Sequence, residues 1–279
     1  MTALGGIEAG GSKWECAVGT APDDLHAAST IPTTSPAETI AEAVAFFKRE
    51  GPVDAVGIGS FGPVDLARGA ITTTPKPGWS HTDVAGEVGR RLGVPVAFDT
   101  DVNAAGLGEY RCGALQGLQI CCYVTVGTGI GGGVLVGGAP IHGLQHPELG
   151  HLRVPHDREE DPFPGVCPFH GACWEGLASG PALEARWGRP AEEIEDDAPW
   201  LLEARYLALG LLAVTAVVSP QRIVLGGGVL NRPGLLELVQ RQLDGLVNGY
   251  VAVPELARPA LGARAGVLGA LALAGSVVA

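Results

Sequence analysis

The stretch Leu4-Gly5-Gly6-Ile7-Glu8-Ala9-Gly10-Gly11-Ser12-Lys13-Trp14-Glu15-Cys16-Ala17-Val18 predicts two short strands joined by a glycine turn at Gly10 to Lys13. The same plan returns later, where the predicted strands Ile120 to Val126 and Gly133 to Val136 are joined by Gly127-Thr128-Gly129-Ile130-Gly131-Gly132. The similarity is architectural and not letter by letter. One such arrangement in each half of the chain indicates two related lobes that face each other.

Both turns suit an anionic ligand. Glycine adopts positive φ angles and lets backbone N–H groups approach phosphate oxygens closely. One turn of this kind is weak evidence, because tight hairpins use the same residues for geometric reasons alone. Two turns that carry the hydroxyls of Ser12 and Thr128 and the ammonium of Lys13 favour phosphate binding.

A third glycine turn runs from Gly226 to Asn231, between a predicted strand at Arg222 to Leu225 and a helix predicted to start near Pro233. A helix N-terminus here would suit a phosphate or an adenine ring. A plain strand-to-helix turn explains the same glycines. Both interpretations stay open on these residues alone.

Helices and strands alternate between the two hairpins, which is typical of an α/β protein. Ser35-Pro36-Ala37-Glu38 is a capping box, and the helix that it starts ends at Gly51. Strands are predicted at Val53 to Gly59, before the turn Ser60 to Pro63, and at Val94 to Phe98. Helices are predicted further along at Ala104 to Cys112, Ala182 to Trp187, Leu201 to Val218 and Ala263 to Ala274, with an exposed connection at Arg189 to Pro199.

Asp101 lies where the predicted strand Val94 to Phe98 gives way to a helix, with Asp99 and Asn103 two residues away on either side. This is the position from which α/β folds present side chains to ligands. The alternative is a structural one, in which Asp99 or Asp101 is the N-cap of the helix. The presence of both acids together with Asn103 favours a chemical role for Asp101.

Four residues have the spacing of a metal site: His151, Cys167, His170 and Cys173. Two thiols and two imidazoles can close a tetrahedral zinc site, and such a site, with every position filled by protein, is structural. The alternative is a pair of buried free cysteines beside two surface histidines. The remaining cysteines, Cys16, Cys112, Cys121 and Cys122, are expected to be buried thiols.

The charge and the apolar runs exclude several function classes. The 279 residues carry a net charge of -12, which disfavours nucleic acid and anionic membrane surfaces as partners. The N-terminal residues lack the basic and apolar regions of a secretory signal, so a cytoplasmic location is expected. The most apolar runs, Leu207 to Ser219 and Ala265 to Ala279, are shorter than the roughly 20 residues of a membrane span.

Taken in order, five motifs resemble the ROK family of sugar kinases and repressors. They are Gly5 to Lys13, Asp101-Val102-Asn103-Ala104-Ala105, Gly127 to Gly133, His146-Pro147-Glu148-Leu149-Gly150-His151 and Gly226-Gly227-Gly228. The Cys167 to Cys173 segment followed by Glu175-Gly176-Leu177 is similar to the bacterial fructokinase branch. The resemblance implies an actin-like, ribonuclease-H-like ATPase fold with two lobes, an interlobe cleft that holds nucleotide and sugar, and a homodimer. The N-terminal lobe is expected at 1–112 plus 263–279, and the C-terminal lobe at 113–262 with the zinc loop at 151–173.

The resemblance also implies roles for single residues. Asp101 is the general base, and Gly62, Asn103, Glu148 and Glu175 contact the sugar. The positions that match ATP contacts are Gly10, Gly11, Ser12, Lys13, Thr128, Gly129, Pro181, Gly226, Gly227, Gly228, Val229 and Leu230. The zinc ligands are the four residues named above. Most family members have Asp and Thr where this chain has Glu8 and Ser12, and glutamate still offers a carboxylate for the hydrated Mg²⁺ that accompanies ATP.

These features predict an ATP-dependent kinase that converts D-fructose to fructose 6-phosphate. A kinase for mannose, glucose or N-acetylmannosamine is the nearest alternative, because a few hydroxyl contacts separate these substrates. A sugar-binding sensor without turnover is the alternative from another class. The retained Asp101, and a glycine strand that starts at residue 4 with no preceding DNA-reading segment, count against the sensor.

Overall fold

The computed structural model describes residues 2–278. Its strands are β1 Leu4–Ala9, β2 Lys13–Ala21, β3 Asp24–Pro32, β4 Ala55–Ser60, β5 Val64–Asp65, β6 Ala70–Ile71, β7 Val96–Thr100, β8 Ile120–Val126, β9 Ile130–Val136, β10 Ala139–Pro140, β11 Arg222–Gly226 and β12 Glu255–Ala257. Its α-helices are α1 Pro36–Glu50, α2 Val84–Leu92, α3 Asp101–Cys112, α4 Trp174–Ala178, α5 Gly180–Trp187, α6 Asp197–Val218, α7 Leu235–Val247 and α8 Ala265–Gly275.

The chain forms two compact units. Unit 1 comprises Met1–Gly117, Leu135–His146 and Ala260–Ala279, and unit 2 comprises Leu118–Val134 and Pro147–Pro259. Three segments expected in the C-terminal lobe therefore belong to unit 1: 113–117, 135–146 and 260–262. Within that unit β10 packs against α3, and the Nε2 atom of His146 accepts a hydrogen bond from the Val64 N–H at 3.1 Å. Residues 1 and 279, at the ends of the expected N-terminal lobe, lie outside the described residues.

The two five-stranded sheets share one strand order. The first runs β3-β2-β1-β4-β7 and the second β10-β9-β8-β11-β12. When the five strands of each sheet are numbered from 1 in chain order, both sheets read 3-2-1-4-5. In the first sheet β1, β2 and β3 are antiparallel neighbours, whereas β1, β4 and β7 are parallel. In the second sheet β8, β11 and β12 are parallel. The prediction of two related halves is thus confirmed in the topology.

Unit 1 packs helices on both faces of its sheet. Successive residues of a strand point to opposite faces, so the missing side chain of Gly5 leaves room for Phe47 of α1, while that of Gly6 leaves room for Leu271 of α8. Helix α8 has glycine or alanine at seven of its eleven positions and lies very close to α3. A Cβ atom on Gly269 would clash with the carbonyl oxygen of Ala104, so only glycine permits this approach.

Helix caps agree with the sequence at α1 and differ at α3. Ser35 and Glu38 form the predicted reciprocal cap of α1, and Gly51 ends that helix. At α3 neither Asp99 nor Asp101 is the N-cap. The Thr100 hydroxyl accepts the hydrogen bond from the Asn103 N–H at 3.2 Å, and Asp101 is the first residue of the helix.

Helix α6 is longer than its apolar sequence pattern indicates. It starts at Asp197, inside the segment predicted as a connection, and spans 22 residues. By length and composition it is the one described helix that could cross a membrane, yet 56% of its most apolar window is buried inside the protein. Its inward residues, which include Trp200, Leu207 and Leu211, belong to the core of unit 2, as expected of a central helix in a globular unit.

Candidate functional site

The predicted site residues fall into two sets. Unit 1 holds Gly10, Gly11, Ser12, Lys13, Gly62, Asp101 and Asn103, and unit 2 holds Thr128, Gly129, Glu148, His151, Cys167, His170, Cys173, Glu175, Pro181 and Gly226 to Leu230. The two sets are described in turn.

The first glycine turn closes between β1 and β2. The Gly10 N–H donates to the Lys13 carbonyl oxygen at 3.0 Å, while Gly11 and Ser12 are exposed. The ammonium of Lys13 lies 2.6 Å from a carboxylate oxygen of Glu15 and is 61% exposed. The hydroxyl and ammonium of this turn are therefore accessible to a solution anion.

Glu8 precedes this turn, and the pKa of its carboxyl is strongly raised. Burial, followed by the nearby charges of Asp101 and Glu15, raises the pKa of its carboxyl to about 7. The carboxylate packs against Gly266 at the start of α8 and accepts a hydrogen bond from the Val267 N–H. Its Oε2 atom is buried without a hydrogen-bond partner among the described residues. A buried carboxylate oxygen with no donor suits a cation that is hard and prefers oxygen ligands.

Asp101 and Asn103 lie in the first turn of α3, directly after β7. One carboxylate oxygen of Asp101 accepts the Val102 N–H at 2.8 Å, which fixes the side chain at the helix start. The Asn103 amide is buried, and its Nδ2 atom donates to Asp99 at 2.7 Å. Asp101 lies near Glu8, since its charge raises the pKa of the Glu8 carboxyl. Asn103 lies in the same helical turn as Asp101, so the three residues share one region of unit 1.

Gly62 follows β4 and is joined to Pro63 by a cis peptide bond. A Cβ atom at Gly62 would lie 3.4 Å from the Val64 nitrogen and 3.9 Å from the His146 ring. Gly62 therefore lies beside the segment that ends at His146.

Unit 2 contains a cavity of about 880 Å³, within the size range of cofactor sites. The predicted ATP positions Thr128, Pro181, Gly228 and Val229 line it, whereas Gly129, Gly226, Gly227 and Leu230 do not. Gly227 is instead required by the backbone conformation of the turn. Its φ is +92°, and a Cβ atom there would lie 2.3 Å from the Val126 carbonyl oxygen, so the turn requires glycine at this position.

The third glycine turn leads into a short 3-10 helix at Gly228–Asn231, and α7 begins at Leu235. The helix predicted near Pro233 thus starts two residues later, and the cavity borders the 3-10 helix that occupies the turn itself. Residues that sequence reasoning missed also line the cavity, among them Trp200, Asn231 and Arg232. Arg232 lies over the Trp200 ring at 5.4 Å and donates to the Glu195 carbonyl oxygen at 3.2 Å, which fixes the cavity wall. Their position in the sequence could have indicated them, since Asn231 is the last residue of the glycine turn and Arg232 follows it.

Glu175 is tied to the second glycine turn. Its Oε2 atom accepts the Ile130 N–H at 3.0 Å, and a Cβ atom on Gly129 would lie 2.5 Å from the same oxygen. Gly129 therefore contributes space for a carboxylate and not contact with the large cavity. Glu148 lies near the metal cluster, with a carboxylate oxygen 4.0 Å from His151 Nε2.

The four predicted metal ligands converge. The Nδ1 atoms of His151 and His170 are 3.3 Å apart, and the sulfur of Cys167 lies 3.7 and 3.6 Å from them. The sulfur of Cys173 lies 3.6 Å from His151 Nδ1. Zinc bonds of about 2.0–2.1 Å to nitrogen and about 2.3 Å to sulfur, at tetrahedral angles, place ligand atoms about 3.3–3.8 Å apart. All four ligand atoms lie within 4.8 Å of one another, and the four separations above match those of a tetrahedral zinc site, so these side chains form a group that could hold a metal ion.

Comparison with known proteins agrees with this organisation. The model of the ROK family matches residues 4–277, so the chain belongs to the ROK family. Fructokinase of Zymomonas mobilis is 45% identical over 97% of this chain and 95% of its own length. The ROK hexokinase of Thermus thermophilus superposes with a TM-score of 0.84 at 31% identity, covering 99% of both chains. The ROK glucokinase of Streptomyces griseus, solved with glucose and AMPPNP, gives 0.79 at 27% identity over 99% of both chains.

These matches confirm the predicted fold class. The shared 3-2-1-4-5 strand order of the two sheets is that of the actin-like, ribonuclease-H-like ATPases, to which the resemblance assigned the chain.

Proposed function

We propose that the protein is an ATP-dependent hexose kinase that transfers the γ-phosphoryl group of ATP to O6 of D-fructose. The observation that carries the proposal is the large cavity of unit 2, which is walled by glycine turns and the start of α5. Family membership and the likeness to a fructokinase over nearly the full chain support the same activity.

Asp101 is the proposed general base. It accepts the proton of the O6 hydroxyl as that oxygen forms a bond to the γ-phosphorus and the bond from phosphorus to the β-phosphate oxygen breaks. The products are fructose 6-phosphate and ADP. Such a reaction leaves little covalent work for the protein, so one positioned carboxylate and aligned phosphate donors suffice.

Backbone donors and hydroxyls are the proposed phosphate ligands. The Gly10 to Lys13 turn offers the accessible Ser12 hydroxyl and Lys13 ammonium, and Thr128 with Pro181, Gly228 and Val229 surrounds the nucleotide cavity of unit 2. Glu8, with its unpartnered buried oxygen, fits the Mg²⁺ that accompanies ATP. When bound, that ion offsets the negative charge of the phosphates.

Zinc is the proposed occupant of the cluster formed by His151, Cys167, His170 and Cys173. With four protein ligands the site has no open position, so its role is structural. Glu148 lies three residues before the first ligand and Glu175 two residues after the last. We infer that the metal orders this loop and thereby holds both carboxylates for the sugar.

The proposed partners are ATP, a hexose and a second copy of the chain. The net charge of -12 opposes binding to nucleic acid and to anionic membranes. We also propose that the kinase is located in the cytoplasm.

Replacement of the proposed base tests the kinase assignment. Asp101→Asn keeps the size and the acceptor at the start of α3 but cannot take the proton, so kcat should fall about 10²–10⁴-fold. Fructose affinity, measured by titration calorimetry, should stay within a few fold. Asp244→Asn is the control, because this exposed carboxylate lies on α7, does not line the cavity of unit 2, and accepts a hydrogen bond from the Gln240 side chain at 3.0 Å. Full turnover by Asp101→Asn would remove Asp101 from its role.

A further inference from the structure

Asp99 is a buried carboxylate whose two oxygens are both engaged. Its Oδ1 atom accepts the Thr100 N–H and the Asn103 side-chain amide, each at 2.7 Å. Its Oδ2 atom lies 2.9 Å from the Nε2 atom of His142, and only 4% of the Asp99 side chain is exposed. Asp99, Asn103 and His142 form what we term the Asp99 cluster.

The contacts of the cluster fix the proton on the His142 ring. Asp99 can only accept at Oδ2, so the hydrogen lies on Nε2 of the ring and is donated to the carboxylate. The Asn103 Nδ2 atom, 3.4 Å from the same ring nitrogen, is already bonded to Asp99. In the neutral ring, Nδ1 is consequently an acceptor.

Asn103 contributes a second acceptor. Its Oδ1 atom is buried without a hydrogen-bond partner among the described residues, and the residue is 1% exposed. Leaving a buried acceptor unpaired is unfavourable. A ligand that donates hydrogen bonds, such as a polyol, would satisfy it.

The ring of His142 borders open space. It is 39% exposed and lines a cavity of about 600 Å³ in unit 1, together with Asp65, Thr72 and Gln145. The segment that carries it is anchored at its end, where buried His146 accepts the Val64 N–H. The ring is thus held from behind by Asp99 and presented from an anchored segment, at a cavity large enough for a hexose.

We propose that His142 is a further sugar-binding residue, which accepts a hydrogen bond from a hexose hydroxyl at Nδ1, and that Asp99 is its positioning residue. The inference rests on the proposed function and names the side chain through which unit 1 recognises the sugar. Family membership does not assign either residue, and the motifs of the sequence did not single out His142.

Three variants test the inference by steady-state kinetics with fructose and Mg-ATP. His142→Phe keeps the ring volume and removes both nitrogens, so KM for fructose should rise about tenfold while KM for ATP changes less than twofold. Asp99→Asn should raise the same KM, because its amide no longer holds the histidine tautomer. His142→Gln retains an acceptor oxygen and should recover part of the affinity. His26→Phe is the matched control, an exposed histidine of β3 that contacts Asp24.

The outcomes separate the inference from the kinase assignment. Normal fructose turnover by the unchanged protein together with an unaltered fructose KM in His142→Phe would overturn the inference alone. If the unchanged protein lacks turnover, the proposed function fails, and calorimetric titration with hexoses decides on His142. Weaker hexose binding by His142→Phe would then support its role, and equal binding, or no binding by either protein, would overturn it. Circular dichroism melting curves identify unfolded variants, for which His142→Gln gives the decisive comparison.

Discussion

At the scale of single residues, Glu8 is a buried acid whose carboxylate we propose as a ligand of the Mg²⁺ that accompanies ATP. Its pKa is raised to about 7 by burial first and by the charges of Asp101 and Glu15 second. An acid in such surroundings ionises at a cost that a bound divalent cation would remove. Where the resemblance expects aspartate, Glu8 thus offers the buried carboxylate oxygen that we propose as a ligand of Mg²⁺.

Glu8 should make stability depend on pH. Its folded-state pKa lies above the unfolded value, so the protonated form contributes stability that is fully present below about pH 4.5 and is lost as pH rises through about 7. Glu8→Gln imitates the protonated form. In metal-free buffer the variant should match the unchanged protein near pH 4.5 and exceed it by on the order of 2 kcal/mol above pH 7.5.

Urea unfolding at both pH values measures this difference. Glu42→Gln is the control, because Glu42 is exposed on α1. A stability gain that is the same at both pH values would show that the ionisation of Glu8 is not its cause.

At the scale of elements, a single glutamate joins α3 to the chain before α8. Glu109 is fully buried, and its carboxylate accepts the N–H groups of Ala114, Ala260 and Leu261 at 2.7, 3.2 and 2.9 Å. Three backbone donors would lose their partner in Glu109→Ala. We expect a loss of about 3–5 kcal/mol in the free energy of unfolding, with a smaller loss for Glu109→Gln, which keeps one acceptor oxygen.

The exposed Glu42→Ala is the matched comparison for Glu109, and chemical unfolding gives the values. If Glu109→Ala lost no more than Glu42→Ala, the three hydrogen bonds would not stabilise the junction of α3 with the segment before α8.

The metal loop, residues 151–173 with the four proposed zinc ligands, is the second element whose contribution to the site can be measured. Cys173→Ser removes one ligand and should lower the zinc content found by atomic emission spectroscopy, because serine is a poor zinc ligand. Loss of loop order should raise KM for fructose roughly tenfold and leave KM for ATP less affected. Cys112→Ser, a partly exposed thiol outside the cluster, is the control. Loss of zinc with an unchanged fructose KM would refute a link between the loop and sugar binding.

Predictability from sequence also differs between elements. Strand β8 and helix α1 match their predictions, because an apolar run of seven residues and a capping box are local signals. Strand β3 was not predicted, since six of its nine residues are polar or alanine and it lies at an edge of the sheet. Helix α2 was missed because two of its nine residues are glycine.

The residues of the candidate site also differ in whether the sequence could predict them. The metal ligands were predictable because three of them lie within seven residues, and their convergence with His151 follows from residue types that attract one ion. The N-cap of α3 was not, because Asp99 turns toward His142, 43 positions further along the chain. A residue whose partner is so distant gives no local pattern. His142 itself remained unnoticed for that reason.

At the scale of the whole molecule, each half supplies a complete sheet of the same strand order and its own set of polar groups. Unit 1 holds the proposed base and the proposed sugar contacts Gly62, Asn103 and His142, and unit 2 holds the proposed nucleotide cavity, the metal loop and the proposed sugar contacts Glu148 and Glu175. Two copies of one topology thus carry different sets of polar groups, since function resides in the side chains placed on a fold and not in the fold itself.

The most direct measurement is the initial rate of ADP release with Mg-ATP and each of four sugars: fructose, mannose, glucose and N-acetylmannosamine. We predict saturable turnover with fructose and a kcat/KM for fructose at least tenfold above that for the other three. A preference for another hexose would contradict the assignment of fructose while keeping the kinase. Folded, zinc-loaded protein that releases no ADP with any of the four sugars would contradict the central claim.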